Sequence, residues 1–117
     1  MKRRLIAALC VSGLVLPLSA GAHAFLDHAS PPVGSTVRAS PDEVKLWFTQ
    51  ELEPAFSSVN VQDAAGKRVD KGDAKIAAGT MQVSLPKLAP GRYKVTWRAL
   101  SVDTHVTDGD FIFEIAP

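Results

Sequence analysis

The sequence predicts an all-β fold, a two-sheet antiparallel sandwich or Greek-key barrel of about seven strands. Three observations carry this expectation. Short runs alternate apolar and polar residues, Gly, Pro, Asp and Ser punctuate the gaps between them, and no segment shows the 3.6-residue period of an amphipathic helix. Strand residues two apart point the same way, so each alternating run defines one buried side.

The chain begins with Lys2, Arg3 and Arg4, an apolar run from Leu5 to Leu18, and the small residues Ala20-Gly21-Ala22. This order is that of a cleaved secretory signal peptide, and its apolar stretch is short of the about 20 residues of a membrane-spanning helix. Cleavage after Ala22 divides the chain into a leader, 1–22, and one exported domain, 23–117, that starts His23-Ala24-Phe25. A strand is expected at Ala24–His28, then at Val44–Phe48 behind the turn Ser40-Pro41-Asp42. Val59–Gln62 alternates and ends at Asp63-Ala64-Ala65-Gly66, and a weak strand follows near Arg68-Val69-Asp70. Met81–Leu85 alternates again before Pro86 and Pro90-Gly91. The clearest run is Arg92–Leu100, with Tyr93, Val95, Trp97 and Ala99 on one face. The polar stretch Thr107-Asp108-Gly109-Asp110 is expected to turn the chain into a last strand, Phe111–Ile115. Trp47, Trp97 and the phenylalanines are expected to fill the core.

Composition narrows the function. Of 13 Lys+Arg, three lie in the leader, which leaves 10 against 12 Asp+Glu and a net charge near −2 for the exported domain. A mildly acidic domain of this size has no electrostatic footprint for nucleic acid, and no later segment is long and apolar enough for stable membrane insertion. Cys10 lies in the leader, so the exported domain has neither a disulfide nor a thiolate ligand.

The residues that could carry chemistry are few. Cleavage after Ala22 gives His23 a free α-amine beside its imidazole, two nitrogen donors that can close a chelate ring on one cation. An α-amine titrates near ~8, so a metal can displace its proton at neutral pH. In an extended segment Asp103 and His105 project to the same side, at the end of the Arg92–Leu100 strand. A nitrogen-rich set with a carboxylate suits tetragonal Cu(II). The alternatives at this point are a frayed terminus with an incidental histidine and a polar loop in which Asp103 caps local amides.

The run Tyr93-Lys94-Val95-Thr96-Trp97-Arg98-Ala99-Leu100-Ser101-Val102-Asp103-Thr104-His105 resembles the CopC-type family of periplasmic copper-binding, copper-resistance proteins. The likeness extends through His23-Ala24-Phe25-Leu26, Ser30-Pro31-Pro32-Val33-Gly34-Ser35 and Leu46-Trp47-Phe48-Thr49. It implies a small antiparallel Greek-key β-sandwich, immunoglobulin-like or cupredoxin-like, in the periplasm. It also implies one Cu(II) held by the N-terminal histidine and the D-x-H motif, roles that fall on His23, Asp103 and His105. An inner-membrane copper-transport protein often accompanies such domains.

Two departures from the family pattern matter. A glutamate near the ion in some members falls, by register, on neutral Gln50. Adjacent Glu51 faces the other way in a regular strand and reaches the site only through a bulge or a loosened strand end, so Glu51 or water completes the sphere. Some members also carry a methionine-rich Cu(I) loop, whereas the exported domain has only Met81. Arg98 could orient Asp103 through a charge-assisted bond, with an exposed strand arginine as the alternative. His28 is expected to be exposed or in a turn before Pro31, with a second weak metal site as its alternative. The expected function is a non-enzymatic copper chaperone or buffer in copper resistance or homeostasis. A histidine-brace copper oxygenase and a metal-free structural module are the competing readings.

Overall fold

The two longest alternating runs form the backbone of the structure, a computed structural model that describes residues 24–117. The leader, its Cys10 and His23 lie outside the described residues. Strands β1 (Leu26–Ser30), β3 (Glu43–Phe48), β5 (Lys75–Ala77) and β6 (Thr80–Ser84) make one sheet in the order β1-β3-β6-β5. Strands β2 (Thr36–Val37), β4 (Ser58–Asp63), β7 (Gly91–Leu100) and β8 (Val106–Ile115) make the other, in the order β2-β8-β7-β4. The fold is therefore a two-sheet β-sandwich of eight strands, antiparallel except where short β2 runs parallel to β8.

The inner faces follow the expected alternation. Tyr93, Val95, Trp97 and Ala99 of β7 and Phe111, Phe113 and Ile115 of β8 are buried against Val44, Leu46, Phe48, Met81 and Val83 of the facing sheet. Phe48 meets Trp97 edge-on at 5.0 Å and Tyr93 stacks on Phe113 at 5.6 Å, both favoured ring geometries. Gly109 lies directly opposite Trp97 on β8, and the missing side chain gives the indole its space.

Four expectations need correction. Thr107–Asp110 is not a turn but part of β8, paired with Thr96–Ala99. The polar residues there alternate with Thr107 and Gly109, whose positions face inward, so the period of two survives without large apolar side chains. Trp47 is not core: it sits between buried Leu46 and Phe48, so alternation puts it on the outer face. There His28 stacks on it at 4.3 Å and the Lys45 ammonium lies 5.1 Å from its ring centre. Nor do all phenylalanines fill the core, since Phe25 and Phe56 are 53% and 67% exposed.

The fourth correction concerns Arg68–Asp70, which forms no strand and makes only a single bridge, Arg68 with Gln62. Asp70 replaces ladder bonds with side-chain bonds. Its carboxylate, with no exposed side-chain surface, accepts from the amides of Val61 at 2.7 Å and Gly72 at 2.8 Å and pairs with the Arg68 guanidinium at 2.9 Å. Burial alone pushes this carboxyl up, but the Arg68 bond and the two amides outweigh it and hold the group below its ordinary value.

Two outcomes follow from this packing. A Cβ at Gly109 comes within 2.7 Å of Trp97 Cζ2, so Gly109→Ala is expected to destabilise the domain by about 1–3 kcal/mol in urea unfolding, and an unchanged midpoint overturns the packing argument. Asp70 stabilises the fold above the ordinary carboxyl value near ~4, and that contribution is lost as pH falls through the depressed folded value. Asp70→Asn is expected to flatten part of the acid-induced loss and to cost about 1–3 kcal/mol at neutral pH; an acid limb unchanged by the substitution contradicts the assignment.

Candidate metal centre

One end of the sandwich gathers three separate stretches of chain through backbone bonds. The segment after β3 runs beside the β7–β8 turn: Glu53 N donates to Leu100 O at 2.8 Å, Val102 N to Glu51 O at 3.1 Å, and Leu52 bridges Ser101. The first described residues join the same end. Thr49 N donates to Phe25 O at 2.9 Å, and Phe25 N donates to Thr49 Oγ1 at 3.0 Å.

Asp103 and His105 sit at the tip between β7 and β8, both about half exposed, with Oδ1 and Nδ1 3.4 Å apart. Their closeness does not come from an extended segment, as the sequence suggested. Val102–Thr104 is a tight turn in which Thr104 adopts φ +75°, a left-handed conformation rare for a β-branched residue. The turn is closed by Thr104 N to Ser101 O at 2.8 Å and by Ser101 N to His105 O at 2.9 Å. Asp103 also takes a short hydrogen bond from the buried Ser101 hydroxyl. That bond, against the smaller opposing effect of desolvation and with help from the His105 ring, holds the Asp103 carboxyl below its ordinary value. An anionic carboxylate beside an imidazole is a donor pair suited to a divalent transition metal.

The chain entering β1 is tied to the far side of this tip. Ala24 is fully buried, and its carbonyl accepts from Thr107 Oγ1 at 2.5 Å. Thr107 can reach it because it lies opposite inward-facing Ala99 in the β7–β8 ladder, and cross-strand partners share a face.

Among the described residues no third His, Cys, Asp or Glu joins Asp103 and His105 in a group of metal-binding size. Glu51 borders the turn through its carbonyl, and its side chain is exposed. The register argument for Gln50 and Glu51 does not apply, because β3 ends at Phe48 and both lie beyond it. Arg98 is exposed on β7, opposite Asp108 and Ser58. His28 is an exposed residue within β1, its Nδ1 2.7 Å from Asp27 Oδ2, and Met81 is wholly buried. Sequence reasoning assigned no role to Ser101, Thr49 or Thr107. For Ser101 a signal existed: it continues the inward row Tyr93-Val95-Trp97-Ala99, so a polar group was due at a buried position and required partners.

Comparison with known proteins agrees with this architecture. The CopC domain pattern matches residues 26–116. The crystal structure of CopC from Methylosinus trichosporium OB3b superposes with a TM-score of 0.71 at 41% identity, over 81% of this chain and 95% of that one. Copper resistance protein C of Escherichia coli is 32% identical over 92% of this chain and 94% of its own length. The copper transport protein CutJ of Bacillus subtilis is 32% identical over 86% of this chain, which corresponds to 19% of that protein.

The hydroxyl on Ala24 is open to test without any metal. Thr107→Val keeps the shape but leaves a buried carbonyl unpaired, so faster amide exchange at Phe25 and Leu26 and a loss of about 1–3 kcal/mol are expected. Exchange rates equal to those of the unaltered protein show that the bond does not hold the segment.

Proposed function

The chain belongs to the CopC family, and from that premise we propose that its exported form, residues 23–117, carries one Cu(II) on His23, Asp103 and His105. Members of the family are non-enzymatic copper-binding proteins, so the oxygenase reading falls away. The bond from Thr107 to the Ala24 carbonyl is the observation that supports the ligand set most directly. It ties the residue after His23 to β8 two positions beyond His105, and successive Cα atoms are only about 3.8 Å apart.

Chemistry supports the same reading. Removal of the leader at Ala22 frees the α-amine of His23, and the amine and imidazole of one residue chelate with little ordering cost. Asp103 supplies an anion and His105 a second imidazole, the nitrogen and oxygen donors that Cu(II) prefers. The lone Met81 of the exported domain is buried and takes no part. The half-exposed tip suits a protein that receives and gives up its ion, a copper buffer or chaperone of the periplasm, the compartment typical of the family. Its partner is an inner-membrane copper transporter, a reading supported by the likeness to part of CutJ.

The test is a competition titration of protein whose intact mass begins at His23. One Cu(II) per chain with a nitrogen-rich tetragonal EPR spectrum is expected. Asp103→Ala, His105→Ala, and one extra residue placed before His23 are each expected to weaken binding by about 100-fold or more, equal to about 2.8 kcal/mol. Full affinity with the added residue removes the α-amine from the site, and retention of 1–22 in the exported protein removes the proposal as a whole.

A further inference from the structure

We infer that Ser101 is a positioning residue that aims both Asp103 and His105 at the ion, an inference that rests on the copper reading above. Three features of the structure carry it. The Ser101 side chain has no exposed surface. Its hydroxyl donates to Asp103 Oδ1 while its oxygen accepts from the His105 amide at 3.3 Å, so one side chain meets both residues of the D-x-H pair. The His105 carbonyl lies 3.2 Å from the same oxygen.

The turn itself does not account for these contacts. Its backbone is already closed by Ser101 N to His105 O and by Thr104 N to Ser101 O. An alanine at this position keeps burial, both backbone bonds and the bridge to Leu52. What it loses is the hydroxyl, and with it the bond that ties the Asp103 carboxylate to a buried side chain.

A serine hydroxyl has a single proton. Committed to Asp103 Oδ1, it restricts the rotation of the carboxylate, and the ring of His105 meets that same oxygen at 3.4 Å. The His105 amide, held on the serine oxygen, limits how the imidazole can swing about its own backbone. Thr104 between them is at positive φ, with its own amide bonded to Ser101 O at 2.8 Å. Both ligands are thus oriented before the ion arrives, which lowers the ordering cost of binding.

Ser101→Ala in protein starting at His23 tests this. Partners of metal ligands typically matter by about 10–100-fold in affinity, so a loss in that range is expected. The EPR spectrum is expected to broaden into more than one Cu(II) species, a readout that a merely structural serine does not move. A folded alanine variant with unchanged affinity and spectrum overturns the inference while leaving the copper reading intact. If the unaltered protein binds no Cu(II), the copper reading fails first and takes this inference with it. Should the alanine variant not fold, the intact apo protein decides by NMR. A slowly exchanging Ser101 hydroxyl proton with a cross-peak to the His105 amide supports the role, and a rapidly exchanging one refutes it.

Discussion

The full-length pairing of β7 with β8 is the constraint on which the rest of the structure depends. The two ten-residue strands run in unbroken register from Gly91 opposite Ile115 to Leu100 opposite Val106. That register sets Trp97 over Gly109 and brings the buried inner-face residues of the two strands, Tyr93 to Ala99 and Phe111 to Ile115, against the facing sheet. It also fixes where the tip begins. A slip of one residue would turn every inner side chain outward, so the position of Asp103 and His105 is secured by core packing some distance away.

The proposed copper site sits at the end of this rigid element rather than on a free loop. The tip is built with hydroxyls: Ser101 faces the core and holds Asp103, Thr107 holds Ala24, and Thr49 exchanges bonds with Phe25. Neutral donors of this kind orient the side chains of the proposed site without adding charge that would compete for a cation. The result is a carboxylate and an imidazole presented to solvent from a fixed base. The proposed carrier role requires that an ion be both held and released, and a half-exposed pair on a rigid support suits both.

Much of this was legible in the residues. The alternation in Arg92–Leu100 and Phe111–Ile115 predicted the inner faces, and Asp103 and His105 after Leu100 pointed to the tip. Legibility failed where local chemistry imitated another element. Thr107-Asp108-Gly109-Asp110 has turn composition, yet Gly109 is there to admit an indole from the next strand, a demand invisible in sequence. Arg68-Val69-Asp70 alternates as a strand does, yet Asp70 satisfies neighbouring amides with its side chain instead of through a ladder. Trp47 seemed a core residue by size, but its neighbours Leu46 and Phe48 already occupied the inner face, and stacking under His28 shelters it outside.

By itself, then, the sequence determined the fold class, the inner-face residues of the long strands and the pairing of an acid with a histidine near one strand end. Those properties depend on periodicity and on residues close in the chain, which a linear reading resolves. Tertiary structure decided what joins residues far apart: the bond from Thr107 back to Ala24 and the bridge of Leu52 to Ser101. Each of these exists only when two sheets pack and their edges meet, because hydrogen bonds between distant segments are selected by the shape of the whole domain.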